Sequence, residues 1–290
     1  MHPHPARRHL LTGAAATALA CALPAAAPAD ATELHAAFRA LERTHGARLG
    51  VLAYDTGSGA TVRHRADERF PLCSTFKPLA VAAVLRAGHD LAAPVHYTDR
   101  DVADSGYAPV TGRTRVLTLA ELCAAAIEFS DNTAANLILR HLGGPTAVTR
   151  FCRTLGDPVT RLDRWEPALN SAEPDRTTDT TTPHALARTF ARLTLGNALP
   201  HPHRTRLTAW LRAATTGTHR LRAGLPPTWT HADKTGTGPY GTTNDLALAW
   251  PPHRPPLVLA VLSTKPATPT AAPDEPLLAG TARLLARALP

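Results

Sequence analysis

Glutamine is absent from this 290-residue chain, methionine occurs only as the initiator, and lysine occurs three times, at positions 77, 234 and 265. Cysteine is limited to four residues and aromatic side chains to 5%. So few cysteines exclude a disulfide-stapled scaffold, and no apolar run reaches the ~20 residues that span a bilayer. The formal net charge is +8, yet there is no block of like charges and no interleaving of basic with aromatic residues, so a nucleic-acid surface is not the reason for it. What remains is a globular composition with 44% hydrophobic and 19% charged residues. That suffices for a sizeable core in one large domain or two lobes. No internal repeat is visible.

Arginine fills almost every basic position, so a retained lysine suggests a need for a compact amine that can lose its proton. The three lysines are therefore the first candidates for chemistry.

The first 29 residues contain Arg7 and Arg8, no acid, an apolar stretch from Leu10 to Leu23, and Ala27-Pro28-Ala29 ahead of Asp30. This order predicts a secretory signal over residues 1–29, and the paired arginines resemble the twin-arginine export type. Ala18-Leu19-Ala20-Cys21 lacks the leucine that opens a lipoprotein cleavage box, so lipid anchoring at Cys21 is not expected. The processed chain is expected to be exported and monomeric, with no membrane span. It keeps Cys73, Cys123 and Cys152, which allow at most one bridge and lack zinc-site spacing, so buried free thiols are predicted. His201-Pro202-His203 has no further ligands nearby and no H-x-H-x-D occurs; neither a metal nor another cofactor is expected.

Asp30-Ala31-Thr32-Glu33 reads as a capping box, and Leu34, Ala37, Phe38 and Leu41 follow at helical spacing, giving a helix to about Thr44. Leu49 to Tyr54 and Ala60 to His64 are strand-like runs around Thr56-Gly57-Ser58-Gly59. Helical patterns then dominate: Ala80 to Ala87, Leu119 to Phe129, and Thr133 to Leu142, stopped by Gly143-Gly144. Trp229 to Thr235, Asp245 to Trp250 and Leu257 to Leu262 read as strands, and Leu277 to Leu289 as a closing helix. Strands at both ends with helices between them predict one sheet built from distant segments, over residues 30–72 and 215–290, with an all-α lobe over 73–214. Residues 161–179 are polar and aperiodic, the mark of a functional loop.

Four short patterns carry chemistry. Ser74-Thr75-Phe76-Lys77 opens a helix, where a spacing of three puts hydroxyl and amine on one face so that the amine can activate the hydroxyl. Ser130-Asp131-Asn132 sits between helices, where a loop can turn both Ser130 and Asn132 into a cleft. Lys234-Thr235-Gly236 lies on a strand; alternation sends Lys234 and Gly236 to one face and Thr235 to the other, and Gly236 admits a ligand close to the backbone. Glu166 and Asn170 in the long loop can hold one water and take its proton. Singly, each also reads as a helix cap, a strand end or a solvated loop residue.

Together and in this order, they resemble the class A serine β-lactamases. The resemblance implies an α/β fold with a five-stranded antiparallel sheet flanked by helices and an inserted all-α lobe. It implies Ser74 as nucleophile, backbone N–H groups of Ser74 and Thr237 as oxyanion donors, and Lys77 and Ser130 as the proton relay. Asn132 would hold Lys77 and the substrate amide, Glu166 and Asn170 would position the deacylating water, and Lys77 or Glu166 would be the acylation base. Arg164 would pin the loop through Asp179, and the Glu166-Pro167 peptide would be cis. Lys234, Thr235 and Gly236 would line the site of the substrate carboxylate. The arginine that many members carry after this strand is missing from Gly241-Thr242-Thr243-Asn244, and Arg220 resembles the substitute found in actinobacterial members. Tyr107 matches the aromatic gate. Gly238 and Val81 stand where some members place the disulfide partners of Cys73 and Cys123, so neither bridge and no carbapenemase activity is implied. The implied partner is a small β-lactam. The alternatives are a D,D-peptidase or penicillin-binding protein, against which the Glu166/Asn170 pair argues, and a β-lactam sensor, which needs a membrane tether.

Overall fold

The structure is a computed structural model that describes residue 1 and residues 31–289. The expected signal over 1–29, Cys21 and the Asp30 cap lie outside the described residues. In chain order the elements are α1 (Ala31–His45), β1 (Arg48–Asp55), β2 (Thr61–His64), β3 (Phe70–Pro71), a 3-10 turn (Cys73–Phe76), α2 (Lys77–Ala87), β4 (Pro94–His96), α3 (Asp99–Ser105), β5 (Val116–Thr118), α4 (Leu119–Glu128), α5 (Asn132–His141) and α6 (Thr146–Thr154). After the long loop come β6 (Thr180–Thr181), α7 (Pro183–Thr194), α8 (His201–Arg212), α9 (Leu221–Gly224), β7 (Thr230–Gly238), β8 (Thr242–Trp250), β9 (Leu257–Thr264) and α10 (Glu275–Ala288).

The main sheet has the order β2-β1-β9-β8-β7, and every neighbouring pair in it is antiparallel. The five-stranded antiparallel sheet with flanking helices is thus the architecture found. The sequence of β9, Leu-Val-Leu-Ala-Val-Leu-Ser-Thr, is buried at every position because the sheet is covered on both faces. Leu257, Leu259 and Val261 pack with Phe38 of α1 and with Leu277, Leu278 and Leu285 of α10. Val258, Ala260 and Leu262 join Leu79 of α2, Leu186 and Phe190 of α7, and the other helices of the larger core. Period-two alternation here distributes apolar side chains between two cores rather than between core and water.

Two small ladders absent from the sequence reading hold the rest. β3 pairs with β6, tying the end of the long loop to the strand just before Ser74, and β4 pairs with β5. The edge strand β7 and α2 meet at the 3-10 turn, and the cleft opens there. Cys73, Cys123 and Cys152 are free and buried. No helix among the described residues is long and apolar enough to cross a membrane.

Candidate active site

Ser74 lies in the 3-10 turn that runs directly into α2. Residues three apart eclipse in such a turn, which puts Ser74 and Lys77 on one side. Gly236 of β7 backs onto this turn: a Cβ there would stand 3.0 Å from the Leu72 carbonyl oxygen and 3.2 Å from Cys73 Cβ. Its missing side chain is what lets the edge strand approach the turn that holds Ser74.

Lys77 is fully buried. Its Nζ donates to the Ser130 carbonyl at 2.8 Å, to Ser130 Oγ at 3.2 Å and to Asn132 Oδ1 at 2.8 Å, rather than to Ser74. Burial lowers the Lys77 pKa, with the Glu166 charge opposing the shift. Ser130 has a left-handed backbone (φ 57°), and Asp131 caps α5 by accepting from Ala134 N at 2.8 Å. This kink turns Ser130 and Asn132 into the same space, although a continuous helix would splay them. Asp131 also accepts from Val110 and Thr111, holding the loop whose Tyr107 carbonyl accepts from Asn132 N at 2.8 Å. From the other side Lys234 Nζ donates to Ser130 Oγ at 3.0 Å, so one hydroxyl lies between two buried amines. Lys234 is shifted well below the usual amine range by burial and by the Lys77 and Arg220 charges. The third lysine has a different job: Lys265 pairs with Asp274, the N-cap of α10.

The long loop brings Glu166 to the same amine. Glu166 Oε1 lies 3.2 Å from Lys77 Nζ, at ion-pair distance without hydrogen-bond geometry, and Asn170 Nδ2 donates to Glu166 Oε2. Glu166 Oε1 and Asn170 Oδ1 are buried acceptors with no donor among the described residues. Asn136 of α5, which the sequence reading did not single out, clamps the Glu166 backbone: it accepts from Glu166 N at 2.9 Å and donates to Glu166 O at 3.0 Å. The Glu166-Pro167 peptide is cis. At the neck of the loop, buried Asp179 accepts from Asp163 N at 2.7 Å, Arg164 N at 3.0 Å and Arg164 Nε at 2.6 Å.

Ser74, Tyr107, Ser130, Asn132, Asn170, Arg220, Thr235, Gly236 and Thr237 line one cleft of about 840 Å³, joined by Thr216. Clefts of similar size occur elsewhere, so the convergence of polar groups, not volume, singles this one out. Tyr107 stands 51% exposed at its rim. Lys234 reaches the helical side while Thr235 Oγ1 meets Thr216 Oγ1 at 2.7 Å, as strand alternation requires. Arg220 is buried beside Thr237: its Nη1 donates to the Gly236 and Asn244 carbonyls, both at 2.8 Å, and its Nη2 to Thr237 Oγ1 at 2.6 Å. Glu275 in the first turn of α10 accepts from Arg220 Nε at 3.2 Å. Thr216 and Glu275, too, were not singled out, because their partners are distant in sequence and neither sits in a motif. Among the described residues no group of three or more His, Cys, Asp or Glu could hold a metal.

A sequence description of the β-lactamase enzyme family matches residues 33–289. The chain belongs to that family. A β-lactamase of Streptomyces lavendulae is 57% identical over 98% of this chain and 97% of its own length. A carbapenem-hydrolysing β-lactamase of Klebsiella oxytoca is 48% identical over 79% of this chain and 80% of its own. The solved β-lactamase of Streptomyces albus G superposes with a TM-score of 0.87 at 55% identity, covering 89% of this chain and all of that one. Within the family, then, the Ser74 turn, the S-D-N loop, the edge strand and the Glu166 loop of this member converge on one cleft.

Proposed function

We propose that this chain hydrolyses the β-lactam amide of penicillin- and cephalosporin-type antibiotics through an ester on Ser74, which protects its producer from these drugs. Ser74 Oγ attacks the ring carbonyl, and Lys77 and Glu166 are the two bases that can take its proton. The backbone N–H groups of Ser74 and Thr237 receive the oxyanion; each such donor is typically worth about 3–4 kcal/mol of barrier. Ser130, bonded to both lysines, hands a proton to the departing ring nitrogen. The substrate carboxylate binds Lys234, Thr235, Thr237 and Arg220, with Gly236 keeping the backbone close, and Asn132 holds the substrate amide. Tyr107 covers the mouth.

The observation that carries the reading is the Glu166/Asn170 pair beside Lys77. Two orphan acceptors, Glu166 Oε1 and Asn170 Oδ1, suit a water that donates a proton to each. Glu166 then takes the proton as the water attacks the ester, releasing a ring-opened acid and restoring Ser74. A D,D-peptidase or a drug sensor uses the same acylation without this pair. The same proposal includes export by the 1–29 segment. Glu166→Ala is expected to acylate and stall, so mass spectrometry after mixing with a penicillin shows a persistent adduct on Ser74, and Ser74→Ala shows none. Complete release of drug by the Glu166 variant at the wild-type rate would refute the assignment.

A further inference from the structure

Asp233 and Asp245 are fully buried behind the edge strand. In the β7/β8 register Asp233 lies opposite Ala247, and Thr235 lies opposite Asp245. The two acids are therefore diagonal neighbours on the face that carries Thr235, about 7–8 Å apart at the backbone and within side-chain reach. Their surroundings differ. Asp233 Oδ1 accepts from Arg222 Nε, whereas among the described residues Asp245 Oδ2 accepts only from the backbone N–H of Leu221, at 3.2 Å.

The other charged groups around them are occupied. Arg222 of α9 also donates to Ala214 O, Arg220 is bound to Glu275 of α10 and to two carbonyls, and Lys234 points to Ser130 on the opposite face. His231, two residues before Asp233, has its pKa lowered by burial. One oxygen of each acid, Asp233 Oδ2 and Asp245 Oδ1, is buried with no hydrogen-bond partner among the described residues. A buried carboxylate with one donor and no cation bonded to it is strongly disfavoured against its neutral form.

We propose that Asp245 is a neutral carboxylic acid at neutral pH and acts as a positioning residue for Arg220, pegging together with Asp233 the two residues that follow it, Leu221 and Arg222. A proton on Asp245 Oδ1 turns an orphan acceptor into a donor, and Asp233 Oδ2 is the orphan acceptor on the same face. Burial and the Asp233 charge push the Asp245 carboxyl up to about 8. Burial raises the Asp233 carboxyl as well, against the Arg222 charge, so at higher pH the pair comes to carry two negative charges, which repel each other and pull on the turn that presents Arg220. Recognition of the substrate carboxylate weakens while chemistry at Ser74 is less affected. This consequence rests on reading Arg220 as the carboxylate anchor.

Asp245→Asn keeps an oxygen for Leu221 N–H and offers a permanent N–H to Asp233. The infrared difference spectrum of wild type against this variant at neutral pH is expected to contain the carbonyl band of a protonated carboxyl, lost above about pH 9; only carboxylate bands at neutral pH would overturn the assignment. The wild-type KM for a penicillin is expected to rise roughly threefold or more by about pH 9, with a smaller change in kcat, and the variant's rise is expected to be much smaller. An equal rise in both would overturn the positioning role, because Lys77 and Lys234 titrate in both proteins. Arg220→Ala with KM unchanged would sink the anchor reading and its KM consequence but leave the infrared assignment standing, so the two failures are distinguishable.

Discussion

Replacing Asp179 by Asn tests whether the loop neck holds Glu166 in place. The native carboxylate is 1% exposed and accepts three hydrogen bonds, two backbone N–H groups at Oδ1 and Arg164 Nε at Oδ2. The amide oxygen of Asn can keep the first two. Its N–H₂ must then face the Arg164 guanidinium, donor against donor, and the arginine loses the acid it is bonded to. Breaking a buried ion pair costs about 3–5 kcal/mol. The Arg164 side chain is 27% exposed, so water recovers part of this and about 3 kcal/mol is the working figure. In a domain of this size that lowers Tm by roughly 6–12 °C. The loss should be local before it is global: hydrogen exchange over residues 161–179 should accelerate by about two orders of magnitude, since each 1.4 kcal/mol is tenfold. Because the loop carries Glu166 and Asn170 but not Ser74, rapid mixing should show acylation nearly intact and deacylation slowed. A variant with Tm within about 1 °C of wild type, native exchange in the loop and unchanged release of product would refute the argument that this neck positions the acid.

Arg220→Ala should raise KM for carboxylate-bearing substrates by about tenfold to a hundredfold with a smaller fall in kcat, since hydrogen bonds to charged groups are worth about 1.5–3 kcal/mol; Glu275→Gln, which removes only the charge behind the guanidinium, should raise KM less, in steady-state hydrolysis. The Asp245 carboxyl is raised in the folded protein from 3.8 to about 8, so its contribution to stability is full below about pH 4 and is lost as pH rises through about 8. Denaturant titrations across this range should show a stability decline that Asp245→Asn lessens. Burial pushes Cys123 and Cys152 up to about 12 and raises the Cys73 thiol further, so a maleimide should label these three cysteines in the unfolded chain and leave them unmodified in the folded one at neutral pH.

The catalytic patterns were legible because each is local: hydroxyl and amine three apart, a lysine and glycine two apart on a strand, an acid and amide four apart in a loop. Strand limits were less so. β7 continues through Thr237 and Gly238, beyond the Thr235 limit read from the sequence, and its glycines are there because the Ser74 turn and Asn170 press against the strand. β8 begins at Thr242 rather than Asp245; Asn244 looks too polar for a buried strand, yet its Nδ2 donates to the Pro71 and Leu72 carbonyls. The scarcity of lysine pointed to three residues, of which two, Lys77 and Lys234, lie buried against Ser130 and the third pairs with Asp274. Asn136, Thr216, Glu275 and Asp245 were invisible for one physical reason. Each acts on a group brought near only by the completed fold, such as Glu166, thirty residues from Asn136.

The charges in the cleft suggest why one acid can serve both hydrolysis and product release. Lys77 has Glu166 as its counter-charge, whereas Lys234 has no acid bonded to it among the described residues, and its burial beside Lys77 and Arg220 disfavours its proton. On the proposed reading an incoming carboxylate would supply a negative charge beside Lys234 and favour its ammonium form, so that binding would couple to protonation at the residue that holds Ser130. Hydrolysis then creates a second carboxylate from the ester carbonyl, next to Glu166. In the proposed mechanism like charges repel there, so the group that would deliver the water would also destabilise the product it makes. An enzyme with an amide at position 166 would lose both effects, and the slower of the two would set its residual turnover.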